Sequence, residues 1–246
     1  MLVTGAAGGV AQHLLPSLSS AHDLRLTDRR PYPDAVAGDL TDPGFARRTV
    51  SGADAVVHLA ADADPGQPWQ RLRGPNADAL VNVLDAAAEA GVRRVVLAGS
   101  LHAMGGHVDA GRFEVGEDEP PYPCCTYGAV KVLAENIGRL YADQQRMRVI
   151  VLRLGGVADR PPARSWLPGW LSGPDLVRLV SAALTADVRY GVYHGVSANS
   201  ARLWRTDRAR AELGYQPLDD SAAYAGGVPD DLPGRTGPGL RILHLT

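Results

Sequence analysis

The sequence predicts an α/β fold built on a doubly wound parallel sheet, with a small C-terminal portion completing it. Two observations carry that reading. Short β-branched runs alternate with Ala/Leu-rich helical stretches from the first residue to about position 195. The strand runs are continuously apolar, as expected of parallel strands covered by helices on both faces. Right-handed crossovers then wind the helices onto both sides.

The elements follow in order. Leu2–Thr4 reads as a strand, Gly9–Leu18 as a helix, Leu24–Thr27 and Ala35–Val36 as strands. Ala53–Ala60 is a buried strand, followed by a Pro/Gly loop and a helix over Ala77–Ala90. Arg94–Ala98 is a strand, Thr126–Gln145 the longest helix, and Arg148–Leu152 the next strand. Beyond Arg153 the pattern loosens into a stretch rich in Pro, Gly and Trp, with helices expected over Pro174–Thr185 and Arg205–Leu213. This divides the chain into a core (1–153), a smaller interleaved portion (154–225) and a Pro/Gly-rich tail (226–246), expected to be extended or mobile.

Composition narrows the function classes. At 246 residues the chain can bury a sizeable core, and 45% hydrophobic with 21% charged content is ordinary for a globular protein. A net charge of -2 without a long basic run gives a nucleic-acid surface no support. No apolar stretch reaches the roughly 18 residues of a membrane span, and the N-terminus does not read as a secretory signal. The two cysteines, Cys124 and Cys125, are adjacent, so a disulfide framework is excluded and a reducing cytoplasm is expected. The vicinal pair reads as packing material, with oxidation sensitivity as a side property. His102 and His107 lie in a glycine-rich loop without further ligands at suitable spacing, so no metal site is expected.

The segment Val3-Thr-Gly5-Ala-Ala-Gly8-Gly9-Val10-Ala11 follows the first strand and opens a helix. Gly5 permits a tight turn, Gly8 lets the backbone approach a pyrophosphate at the positive helix end, and Ala11 allows close helix–sheet packing. This is a Rossmann-type dinucleotide site. Asp28 closes the second strand, where a carboxylate accepts from ribose hydroxyls and repels a 2′-phosphate, which favours NAD over NADP. Arg29 and Arg30 follow directly and are the feature that opposes this preference. Asp39 is placed to meet the adenine edge, or to serve as a loop acid or helix cap.

Tyr127-Gly-Ala-Val-Lys131 opens the long helix, and a spacing of four puts both side chains on one face. Of 25 basic residues, Lys131 is the single lysine. With 8 tyrosines in 246 residues, a lysine falls four places after one by chance about 3% of the time. A phenol of ordinary pKa is a poor base, and an adjacent ammonium is expected to lower it. Ser100 follows Arg94–Ala98 at the C-terminal end of the sheet, where open parallel sheets bind ligands. The three residues are the expected catalytic set.

TGAAGGVA, Asp28, HLAA at 58–61, Ser100 and YGAVK together resemble the extended short-chain dehydrogenase/reductases, the NAD-dependent epimerase/dehydratase-like branch. LRLTDRRP, GSLHAMGG, YGAVKVLAENIGRLY, VLRLGG, Arg164…Trp170-Leu-Ser and GVSANSARLW resemble uronate dehydrogenase more narrowly. That family oxidises the ring form of a hexuronic acid to an aldarolactone with NAD. The resemblance implies that Tyr127 takes the hydroxyl proton, Ser100 orients the substrate oxygen, and Lys131 holds the nicotinamide ribose. It adds Leu40, Leu59, Ala60, Ala61 and Asn76 on the cofactor side. On the substrate side it adds Ala63, Leu101, His102 and Gly156, with Arg164 as a carboxylate clamp. Leu101 replaces an asparagine of the family, and serines of the family are replaced near Ala63 or Asp64 and at Gly156, which implies a less hydroxylated substrate. A homo-oligomer formed through the catalytic helix is expected from the same resemblance.

A reductase, epimerase or dehydratase of the same fold is the alternative, but nucleotide-sugar enzymes carry a larger C-terminal lobe, and Leu101-His102 does not supply a dehydratase's acidic pair. A serine hydrolase is disfavoured because Gly99-Ser100 lacks the G-x-S-x-G elbow. An intact serine–tyrosine–lysine set argues against a non-catalytic dinucleotide-binding protein.

Overall fold

A computed structural model describes residues 1–144, 147–201 and 203–230. Seven parallel strands form one sheet: β1 (Leu2–Thr4), β2 (Arg25–Asp28), β3 (Ala35–Ala37), β4 (Ala55–His58), β5 (Arg94–Ser100), β6 (Arg148–Leu154) and β9 (Tyr190–Gly195). Their spatial order is β3-β2-β1-β4-β5-β6-β9, so the sheet reverses direction of growth between β1 and β4. That switch point opens a crevice at the carboxyl ends of the strands. Two further short strands, β7 (Gly156–Val157) and β8 (Trp170–Leu171), pair with each other.

The helices are α1 (Gly9–Ala21), α2 (Pro43–Val50), α3 (Trp69–Arg73), α4 (Ala79–Glu89), α5 (Gly105–Asp109), α6 (Thr126–Gln144) and α7 (Gly173–Thr185). Leu14, Leu18, Leu176 and Leu179 fill one face of the sheet against Val3, Val57, Val96 and Ile150. On the other face Leu80, Val83 and Leu84 of α4 and Ala134 of α6 pack on Leu2, Val56, Val95 and Val149. The alternating strand directions of side chains thus feed two cores, as the doubly wound reading requires.

Several elements depart from the sequence expectation. β5 runs on through Gly99 and Ser100, so Ser100 ends the strand. The expected Ala77–Ala90 helix starts earlier, because α3, one π-helical turn (Gly74–Asp78) and α4 follow without a break. α2 was not expected, although Asp42 accepts from Gly44 N at its start and Pro43 occupies the first turn, both start signals. β9 was also not expected; the alternation in Tyr190–Gly195 is weak because it pairs on one side with β6 only. The expected helix Arg205–Leu213 shortens to residues 207–213, of which Ala209–Leu213 is a π-helical turn. Gln145 and the tail beyond Asp230 lie outside the described residues.

The catalytic-helix candidate α6 is anchored by a buried ion pair. Arg153 on β6 donates from Nε and Nη2 to both carboxylate oxygens of Glu135, at 2.7 and 2.8 Å. Both side chains are nearly inaccessible, at 3% and 4% exposed. Tyr190 donates its hydroxyl to the Glu135 carbonyl at 2.8 Å, so β9 ties to the same point of α6. Removing one partner of such a pair leaves an unpaired buried charge, which is why the bidentate geometry holds the helix firmly.

Candidate active site

Glycine decides the shape of the dinucleotide cleft. Gly5 has φ +73°, and a Cβ there would lie 2.7 Å from Ala60 N and 2.8 Å from the Leu59 carbonyl carbon. Only glycine permits this approach between the β1 turn and the end of β4. Thr4 fastens the same junction: its Oγ1 accepts from Leu59 N and Ala60 N, both at 3.2 Å, and lies 2.9 Å from His58 Nδ1. α1 begins at Gly8 without a side-chain cap, so its first-turn amides face the cleft unclaimed by a capping side chain.

Gly5, Gly8, Asp28, Asp39, Leu40, Leu59, Ala60 and Ala61 all line this cleft of about 310 Å³. Asp28 accepts from Ala7 N at 3.0 Å and from Arg30 N at 2.8 Å, which aims its carboxylate along the cleft edge. Arg30 folds over the turn, donating to the Ala7 carbonyl at 2.6 Å with its Nε 3.6 Å from Asp28. Arg29 and Arg30 both line the cleft, and Arg30 is engaged with these protein groups. A glycine cradle, an uncapped helix start and a fixed carboxylate fit the pyrophosphate and ribose of NAD.

The second cleft, of about 280 Å³, is lined by Val10, Ser100, His102, Tyr127, Lys131, Gly156 and Trp166 among others. It shares Leu59, Ala61 and Ala63 with the first, so the two form one continuous groove at the switch point. Tyr127 and Lys131 enter it from the first turns of α6. Gly128 explains how the helix gets so close: a Cβ there would fall 2.2 Å from the His102 carbonyl oxygen. The YGAVK glycine is thus the contact point between α6 and the end of β5, which brings Tyr127 to Ser100.

Burial dominates the ionisation of the pair. Lys131 donates to the Ala98 carbonyl at 2.8 Å, and its Nζ lies 5.5 Å from the Tyr127 ring centroid. Its pKa is pushed down to about 8 by burial. Burial likewise pushes Tyr127 up to about 12, opposed by the hydrogen bond to Ser100. The expected lowering of the phenol by the neighbouring ammonium is therefore not found in the protein alone: Ser100 supplies the lowering, and burial exceeds it. His102 stands edge-on to the Tyr127 ring at 5.6 Å.

Four expected residues sit elsewhere. The Leu101 side chain is fully buried with Met104, Val108 and Trp204, on the far side of its turn, which corrects the expectation that it lines the substrate cleft. Asn76 spans the backbone of Asp62, donating to its carbonyl and accepting from its N–H, at 3.0 and 2.8 Å. It shapes the loop after β4 and lines neither cleft. Gly9 is exposed on the first turn of α1, outside both linings. Arg164 is half-exposed and pairs with Asp230 at 2.8 Å, away from the cleft lining. Trp166, from the same turn as Arg164, is the residue that reaches the cleft; sequence reading missed it because an apolar wall leaves no motif.

Residues 1–158 match the model of the NAD dependent epimerase/dehydratase family. The chain belongs to that family. Its members among curated proteins include an NAD-dependent glucose-6-phosphate dehydrogenase of Haloferax volcanii, 34% identical, with 91% of this chain and 95% of the relative covered. A uronate dehydrogenase of Pseudomonas syringae is 32% identical, with 91% and 83% covered. Among solved structures, a mutant uronate dehydrogenase from Agrobacterium tumefaciens complexed with NAD superposes with a TM-score of 0.85 at 28% identity, covering 95% of this chain and 91% of that one. This member of the epimerase/dehydratase family is an NAD-dependent oxidoreductase acting on CH–OH groups. Among the described residues no helix is long and apolar enough to cross a membrane.

The lysine supplies a test with a clear sign. The folded state holds Lys131 at about 8, below its ordinary 10.5, so it disfavours the ammonium. That penalty is complete below pH 8 and disappears above pH 10.5. Lys131→Met is expected to raise the melting temperature at neutral pH, reflecting on the order of 1–3 kcal/mol, with the gain fading as pH rises. Turnover should fall by about 10²–10⁴-fold in the same variant. Melting curves and steady-state rates check both; a loss of stability that is the same at neutral and alkaline pH contradicts the assignment.

Proposed function

We propose that the chain oxidises a ring hydroxyl of a small sugar or sugar-acid-like substrate with NAD, Tyr127 acting as general base and Ser100 and Lys131 as its partners. The observation that carries this is the continuous groove: a glycine-cradled dinucleotide cleft runs into a second cleft holding Ser100, Tyr127 and Lys131. NAD, when bound, supplies the hydride acceptor and a cationic ring beside the phenol. Tyr127 takes the substrate hydroxyl proton at its Oη. Ser100, at the end of β5, holds the substrate oxygen and the phenol in one hydrogen-bonded set. Lys131, fixed by Ala98, keeps its Nζ 5.5 Å from the Tyr127 ring centroid and would hold the nicotinamide ribose. In this reading residues 1–153 carry the dinucleotide and residues 154–225 close the substrate side through Gly156, Val157 and Trp166.

The cleft also argues about substrate size and polarity. A space of about 280 Å³ suits a single ring rather than a nucleotide-linked sugar. Ala63, Pro65, Leu154, Gly156, Val157 and Trp166 offer it no polar side chains except the indole N–H. Relatives are named for glucose 6-phosphate and for uronates, substrates with an acidic group, and another, of Haloferax volcanii, for the neutral sugar L-arabinose. Among the described residues Lys131 is the only cationic side chain of the cleft lining, and Arg164 pairs with Asp230. These features favour a ring with fewer polar substituents and no carboxylate, while Arg164 remains the nearest candidate clamp if it exchanges partners.

Reduction of NAD, followed by its absorbance with neutral aldoses, deoxy sugars and hexuronates in parallel, tests this reading. Neutral rings are expected to outpace hexuronates, and Tyr127→Phe to lose about 10²-fold or more in turnover. No reduction with any sugar or sugar acid, or an unimpaired Tyr127→Phe enzyme, sinks it. The same reading places the enzyme in a reducing cytoplasm, consistent with two free thiols. It also places α6 at a homo-oligomer interface, supported by Leu133 and Leu140, which are 39% and 49% exposed on that helix. Leu133→Glu is expected to convert the particle to a monomer in light scattering; an unchanged mass rejects that interface.

A further inference from the structure

We propose that His102, Cys124 and Cys125 form a binding site for one Zn²⁺ ion beside the catalytic cleft, and that its occupation restrains His102 and slows turnover. The sequence offers no metal-binding spacing here, since the two cysteines are neighbours and the histidine lies 22 positions earlier. The fold brings them together because the segment before α6 runs back along the turn after β5. Cys124 N donates to the His102 carbonyl at 3.2 Å, and Gly128 packs against the same carbonyl.

The three donor atoms form a small triangle. His102 Nδ1 lies 3.4 Å from the Cys124 Sγ and 3.4 Å from the Cys125 Sγ, and the two sulfurs are 4.0 Å apart. A tetrahedral zinc with Zn–S of about 2.3 Å and Zn–N of about 2.0 Å requires N···S and S···S edges of roughly 3.6 and 3.8 Å. The triangle matches those edges within a few tenths of an ångström. All three ligand atoms lie within 4.8 Å of one another. Two thiolates and an imidazole are a soft to borderline donor set, which favours Zn²⁺ over Mg²⁺ or Ca²⁺. Three protein ligands leave the fourth position to water.

The sulfurs sit where a thiolate is favoured. Cys125 precedes α6, and its sulfur accepts from Gly128 N at 3.4 Å, at the positive end of a 19-residue helix. Metal binding displaces the thiol protons to solvent. Both cysteines are half-buried. His102 is the shared member: it lines the substrate cleft and meets Tyr127 edge-on at 5.6 Å. A metal on Nδ1 fixes the ring's tautomer and orientation next to the reacting hydroxyl.

Chelator-treated full-length enzyme, titrated with Co²⁺ as a spectroscopic stand-in and then with Zn²⁺, tests the site. A single equivalent of Co²⁺ is expected to give visible tetrahedral bands and a near-ultraviolet thiolate charge-transfer band, both bleached by Zn²⁺. Cys124→Ser and Cys125→Ser should each weaken Zn²⁺ binding at least about tenfold. Serine is a good cap in place of Cys125, and melting curves confirm that both variants fold. Binding is read without any substrate, so it stands or falls separately from the dehydrogenase reading. Zn²⁺ should slow NAD reduction by the wild type several-fold and spare Cys124→Ser. Absence of the thiolate band, or serine variants that bind as tightly as wild type, overturns the site. Equal rates with and without bound Zn²⁺ overturn the restraint on His102.

Discussion

The active site depends on how closely the first turn of α6 approaches the end of β5. Gly128 makes that contact: any Cβ there would meet the His102 carbonyl at 2.2 Å. From this point the rest follows geometrically. Tyr127, one residue earlier, comes to Ser100; Lys131, one turn later, reaches the Ala98 carbonyl; and Cys124 and Cys125, just before, close on His102. The middle of the helix is fixed by the Glu135–Arg153 pair, so α6 is held at its first turn and at its midpoint by contacts of different kinds. A packing constraint sets position, and a buried ion pair sets register.

The electrostatics show what that proximity costs. Tyr127 and Lys131 are both buried, and each is pushed toward its neutral form. Neither change follows from a one-dimensional pattern, because burial is a property of the whole cleft. In the proposed function, a Tyr127 phenol held near 12 by the protein alone would need a nearby cation, such as bound NAD would supply, to act as a base. In the same reading Lys131 lowers stability while serving chemistry, a common trade at functional sites.

How much was legible in the sequence divides along physical lines. Local signals were readable: the strand–turn–helix around Gly5 and Gly8, the Tyr127–Lys131 spacing, and the strand ends carrying Asp28 and Ser100. Each depends on residues a few positions apart. Long-range partnerships were not readable. Arg164 with Asp230, Asn76 with the Asp62 backbone, and Leu101 inside its core cluster all depend on which way a side chain turns in three dimensions. The His102–Cys124–Cys125 triangle belongs with these, since ligand spacing along the chain gave no hint of it. Leu101 is the instructive case. Its neighbour Ser100 faces the cleft, and the 3₁₀ turn that starts directly after Ser100 sends the next side chain into the core.

Replacing Gly128 by alanine tests the central claim most directly, with NAD affinity by calorimetry and turnover measured on the same preparation. The cleft around Gly5, Gly8 and Asp28 does not include Gly128, whereas Tyr127 and Lys131 line the other end of the groove, so NAD affinity should fall much less than turnover, by no more than about tenfold. Displacement of Tyr127 by even part of an ångström should lower turnover by about 10²-fold. Wild-type turnover in Gly128→Ala, or a loss confined to NAD affinity, contradicts the account.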